Sequence, residues 1–129
     1  MENTFIEATY NRPDGGREID SPVLLIDIPD LTEQLKDENA WKENDRNAIT
    51  VFKTDKMRIV LVALHKDAKM TTDQPGNIFS LQVLKGKVKV TTEFASTEVE
   101  KEKIVALHEQ IPYSITALKK STFLLTIVD

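Results

Sequence analysis

The sequence predicts an all-β fold, an antiparallel β-barrel or jelly roll, preceded by a short extension that carries one helix. Three observations predict it. From residue 48 onward the chain breaks into short runs rich in β-branched residues, separated by turns. KVKV (87–90) alternates Lys and Val, the pattern of a strand buried on one face. The turn Leu84-Lys85-Gly86-Lys87 is the sharpest in the chain, because Gly86 can take the positive φ of a tight hairpin.

The elements follow in order. NRPDGGR (11–17) reads as a loop, and VLLIDI (23–28) as a short strand that Pro29 closes. DLTEQLKDENAW (30–41) is the one helix pattern. Asp30 and Glu33 have capping-box spacing, and Leu31 and Leu35 share a side, with Ala40 and Trp41 further along. That helix is expected on the surface, stripe down, with Trp41 anchoring its end against the barrel. AITVF (48–52), MRIVLVAL (57–64), IFSLQVL (78–84), KVKVTTE (87–93), KIVALH (103–108), YSITAL (113–118) and TFLLTIV (122–128) read as strands. TEVEKEK (97–103) reads as a solvated loop or an edge strand whose lysines discourage further pairing. The extension is expected to span 1–47 and the barrel 48–129, together one structural domain.

RIVLVAL and FLLTIV carry apolar residues on both faces. Such strands need cover on two sides, and a homodimer through one sheet is the expected cover. Other partners are narrowed by composition. The chain has 129 residues, 40% of them hydrophobic, and 17 Lys+Arg against 21 Asp+Glu for a net charge of −4. With the basic residues scattered, there is no footprint for nucleic acid and little pull toward an anionic membrane. No apolar run is long enough to span a bilayer. The N-terminal MENTFIEATYNRPDGG lacks the pattern of a secretory signal, and there is no cysteine. Both point to the cytoplasm. The four glycines form no phosphate-binding loop, and no serine stands in a nucleophile-elbow context.

SLQVLKG (80–86) and LHEQIPYSITALKKSTFLLTIV (107–128) supply the frame of a known pattern. The stretch from about 57 to 128 resembles the cupin superfamily, in particular its small single-domain, RmlC-like members. The resemblance implies the cupin double-stranded β-helix, a jelly-roll barrel. The metal-binding form of the pattern is G-x5-H-x-H-x3,4-E-x6-G, then G-x5-P-x-G-x2-H-x3-N. Gly86 fills the glycine that closes the first motif. Counting back from it puts Phe79 in the glutamate slot and Thr72 to Pro75 across the histidine slots, as Thr72 with Gln74 or Asp73 with Pro75. Tyr113, after Pro112, holds the second-motif histidine slot. Asp67 stands near the first motif's opening glycine and HEQ (108–110) near the second's. No slot keeps a histidine or glutamate. Phe79 cannot donate to a metal, and Thr, Gln and Tyr are weak neutral ligands, so the expected cofactor is none and the expected metal site is none.

What the resemblance then implies is a metal-free barrel for binding, sensing or scaffolding. Its interior takes a small, largely apolar molecule or is filled by side chains, with Thr72, Gln74, Phe79 and Tyr113 as the ligand-binding candidates. Phe79, most often a core residue type, is expected to plug the interior. The Tyr113 hydroxyl needs a partner there, from a ligand, a water or the protein. The alternative is a metal-independent isomerase, epimerase or lyase acting on a sugar derivative or small acid, with Tyr113 as acid and His65, His108 or a carboxylate brought into the cavity as base. A third, minor reading starts from the echo between VALHKD (62–67) and VALHEQ (105–110), which contains both histidines. Were those strands neighbours, His65 and His108 would face each other and, with Asp67 or Glu109, form a relocated metal or proton-sensing site.

Overall fold

The structure, a computed structural model, describes residues 19–71 and 76–128. The loop expected at 11–17 lies outside them. Half-buried alternation and paired registers make nine strands among the described residues: β1 (Arg46–Lys53), β2 (Met57–Leu64), β3 (Lys69–Thr71), β4 (Ile78–Lys85), β5 (Lys87–Thr91), β6 (Ser96–Glu100), β7 (Ile104–Leu107), β8 (Ser114–Ala117) and β9 (Ser121–Val128). They form a five-stranded sheet in the order β1-β2-β9-β4-β7 and a four-stranded sheet in the order β3-β8-β5-β6. Every pairing is antiparallel. β3 was not foreseen, and TEVEKEK divides into the edge strand β6 and the turn after it.

The inward faces of the two sheets make the main core. Phe123, Leu125, Leu81 and Val62 from the larger sheet meet Val88, Val90 and Ile115 from the smaller. KVKV behaves as its alternation requires, with Val88 and Val90 buried and the lysines facing outward. Gly86 has φ +92, and a Cβ there would collide with the Lys120 carbonyl and the Ser121 side chain. Ser121 Oγ accepts from the Lys87 N–H at 2.9 Å and donates to the Lys119 carbonyl at 2.7 Å, tying the β4–β5 turn to the start of β9.

The extension departs from its sequence pattern. VLLIDI is not a strand, and Val23 and Leu25 point into solvent. The first helix, α1 (Ile28–Asp37), starts earlier than expected. Asp27, not Asp30, is its N-cap, accepting from the Asp30 N–H at 3.0 Å, and Pro29 stands in its first turn. Proline is well suited there because its missing N–H is one that no helical carbonyl would receive. The chain breaks at Glu38, which is extended, and a short second helix, α2 (Asn39–Glu43), follows. Asn47 on β1 holds the break in place. Its Nδ2 donates to the Leu35 carbonyl at 2.9 Å and to Glu38 Oε1 at 2.8 Å.

These helices cover the β1–β2 part of the outer face of the larger sheet. Leu35 and Trp41 pack on Ile49, Val51, Leu61 and Ala63, with Leu31 and Leu124 at the margin. The two-sided apolar character of RIVLVAL is therefore satisfied within one chain. This removes the reason for which the sequence called for a second copy over that face.

Candidate functional site

Phe79 and Tyr113, far apart in the chain, meet at one end of the barrel. Phe79 is on β4, opposite Leu107 of β7, and period-2 alternation turns it inward with Leu81 and Val83. Tyr113 directly precedes β8 and packs against the same core. Their rings stand edge to face, centroids 4.5 Å apart at 81°. This is the geometry in which the positive edge of one ring meets the negative face of the other. Burial pushes the Tyr113 phenol above its ordinary pKa, so the hydroxyl stays protonated through neutral pH. Thr72 and Gln74 lie outside the described residues, as do Asp73 and Pro75.

A first-row metal does not fit the described part of this slot set. Phe79 has no donor atom, its ring lies against Tyr113, and a phenol held in its protonated form is a poor ligand. Among the described residues no three His, Cys, Asp or Glu side chains cluster in a way that would hold a metal ion.

The two histidines are not brought together. β2 and β7 are separated in the sheet by β9 and β4. His65 follows Leu64, which pairs with Ser121 at one end of β9, while His108 follows Leu107 at the other end, level with Phe79 and Ile127. At strand spacing, that puts Leu64 and Leu107 about 14 Å apart across the sheet and about 20 Å along it, with the two histidines further apart still. The echo in sequence is therefore not a pairing in space. His65 is a structural group: its ring stacks on Trp41, centroids 3.6 Å apart, and its Nε2–H donates to the Trp41 carbonyl at 2.9 Å. His108 is largely exposed, with Nδ1 3.9 Å from Glu109 Oε1.

Two of the glycine places in the pattern keep a glycine's backbone without the glycine. Asp67 has φ 74 and Gln110 has φ 67, the left-handed region that non-glycine residues seldom adopt. Both turns form without the residue type that favours them.

Sequence reasoning missed a groove at the open seam between β6 and β7, the facing edges of the two sheets. It is half open to solvent, with a volume of about 220 Å³. Val90, Val105, Leu107 and Ile111 form its walls, and Phe94 and His108 stand at its rim. The one signal in sequence was Phe94 itself, an aromatic residue between Glu93 and Ala95 in a hairpin turn.

Two antiparallel sheets stacked around one core, with a helical cover on the larger, define a jelly-roll barrel. Comparison with solved structures specifies the kind. Salicylate 1,2-dioxygenase from Pseudaminobacter salicylatoxidans superposes with a TM-score of 0.72 at 16% identity, over 91% of this chain and 38% of that one. A conserved protein of unknown function from Streptococcus pyogenes gives 0.67 at 15%, over 89% and 97%. A cupin superfamily protein from Desulfitobacterium hafniense gives 0.63 at 13%, over 67% and 79%. The chain has the cupin fold. No protein-family model matches the sequence, and no curated protein does. No helix among the described residues is long and apolar enough to cross a membrane.

Proposed function

We propose that this protein is a metal-free, cytoplasmic cupin-type binding barrel that retains small, largely apolar molecules, and that it acts as a homodimer rather than as a catalyst. The observation that carries the reading is the Phe79–Tyr113 ring pair, which occupies two of the positions where the cupin pattern places metal ligands. Two aromatic rings in edge-to-face contact give that end of the barrel an apolar lining, which disfavours a divalent ion at those two positions. Support for the dimer has moved from the helix-covered face to its uncovered remainder. There Ile78, Ile104 and Val128 are exposed on the outside of β4, β7 and β9.

The isomerase, epimerase or lyase reading draws on the same Tyr113, a phenol that burial keeps protonated and so able to donate. It also requires a base at that ring. His65, one of the candidates, is engaged with Trp41 instead, and binding is the stronger reading.

Native mass spectrometry of the untagged protein, purified without added metal or chelator, tests the proposal. The expected spectrum is a dimer at polypeptide mass, bare or with an organic adduct. A stoichiometric adduct of metal mass would sink it.

A further inference from the structure

We infer that the groove at the β6–β7 seam is a binding site for an uncharged molecule the size of one six-membered ring with a short polar substituent. The inference rests on the binding function proposed above and locates it beside the Phe79–Tyr113 plug, where the lining residue Leu107 stands opposite Phe79. Three features of the groove lead to it.

The first is charge. Among the described residues that line it none is Lys, Arg, Asp or Glu, and His108 is the one titratable group. A carboxylate entering would leave water for aliphatic walls without a cation among those residues to meet it. An ammonium would find no carboxylate on the walls. A neutral molecule meets neither obstacle, and the Thr97 hydroxyl and His108 imidazole give one polar group something to bond.

The second is size. An apolar cavity of about 150 Å³ holds a benzene molecule. At about 220 Å³ the groove has room for such a ring and a substituent of a few atoms, but not for a helix.

The third is Phe94, 73% exposed at the tip of the β5–β6 hairpin. The turn beneath it is fixed. Thr92 Oγ1 accepts from the Phe94 and Ala95 N–H groups at 3.1 and 3.2 Å, and the Thr92 N–H donates to the Ala95 carbonyl at 2.8 Å. A water-exposed phenyl ring on a hydrogen-bonded turn, beside an apolar groove, is placed to close over the face of a bound ring.

The test is a titration of the full-length, isotope-labelled protein followed by amide NMR, with benzyl alcohol as neutral probe and benzoate and benzylamine as its charged counterparts. Saturable shifts are expected at Val90, Thr97, Val105 and Leu107 with benzyl alcohol, and binding at least about ten-fold weaker with either charged probe. Ala95→Trp fills the mouth of the groove and should abolish the shifts while the spectrum stays dispersed. Phe94→Ala should weaken binding by about five-fold. Benzoate or benzylamine binding as well as benzyl alcohol would overturn the ligand class. Shifts centred on Phe79 and Tyr113 and indifferent to Ala95→Trp would overturn the location while leaving the binding function standing. Concentration-dependent broadening at the groove without any probe would mean that a second copy covers it, and that too would overturn the inference. No saturable shift from any probe would refute the groove as a site; the wider reading is decided separately by the native mass spectrum.

Discussion

The larger sheet has two apolar faces, and they are covered by different means. Its inner face closes against the smaller sheet around Phe123, Leu125 and Leu81, residues distant in sequence that only the complete barrel brings together. The β1–β2 part of its outer face closes under two short helices from the segment just before β1, through Leu35 and Trp41. One cover is the fold itself. The other is a local flap, held at its midpoint by Asn47. The difference teaches that a strand apolar on both sides reports a need for cover without saying who supplies it. Here the chain's own extension supplies it over β1 and β2.

The sharpest way to break this comparison is to empty each cover in turn. Phe123 is fully buried in the inner core, and Phe123→Ala should cost about 3–5 kcal/mol, through lost transfer energy and a cavity the two sheets cannot close. Urea unfolding should show one transition moved to lower denaturant, with far-ultraviolet dichroism and fluorescence coincident. Leu35 is equally buried, but under the flap. Leu35→Ala should cost about 2–4 kcal/mol and act locally. Trp41 is the only tryptophan, so its emission should shift to the red before the strand dichroism is lost. Coincident transitions in Leu35→Ala would mean that the flap is integral to the barrel, and the distinction would fail.

The same contrast explains what the sequence made legible. Strands declared themselves by alternation, as in KVKV, and by the Gly86 turn, because period and φ are local properties. The start of α1 was misplaced because Pro29 looks like the end of a strand and serves as the first turn of a helix capped by Asp27. The break at Glu38 depends on Asn47, nine residues on and across a packing interface, and no helix pattern records it. Counting back from Gly86 put Phe79 in a slot of the first motif, Pro112 put Tyr113 in a slot of the second, and the two rings touch. The histidine pair failed because an echo of four residues is local while sheet order is not. The groove draws on β5, β6, β7 and the turns beside them, and no single run of residues announces it.

A smaller effect is expected where a non-glycine residue holds a glycine-like backbone. Gln110 has φ 67, and unlike Asp67 it is not a residue type that favours this region. Gln110→Gly should relieve that strain, at some cost from the freer unfolded chain, for a net gain of about 0.5–1 kcal/mol. A thermal midpoint that rises in Gln110→Gly and not in Gln110→Ala would assign the gain to backbone conformation. Equal midpoints in the two variants would show that the turn is unstrained.

The smallest change at neutral pH is expected from Tyr113→Phe, which keeps the ring contact with Phe79 and removes only the hydroxyl. Stability at pH 7 should move by no more than about 0.5 kcal/mol. The difference should appear in alkali. Burial raises the phenol's pKa in the folded state, so below the unfolded value of about 10 both states hold the proton and stability is undiminished. As pH rises past that value the unfolded chain releases its proton first. Stability then falls until the folded phenol also titrates. Tyr113→Phe removes this contribution, so its urea midpoint should decline less than the wild type's between pH 9 and pH 11. Lysine titration, common to both proteins, cancels in the difference. Parallel declines would place the phenol in water and undo the picture of a ring pair closing that end of the barrel. A large loss at pH 7 would make the hydroxyl a structural hydrogen-bonding group and leave the ring pair as scaffold alone.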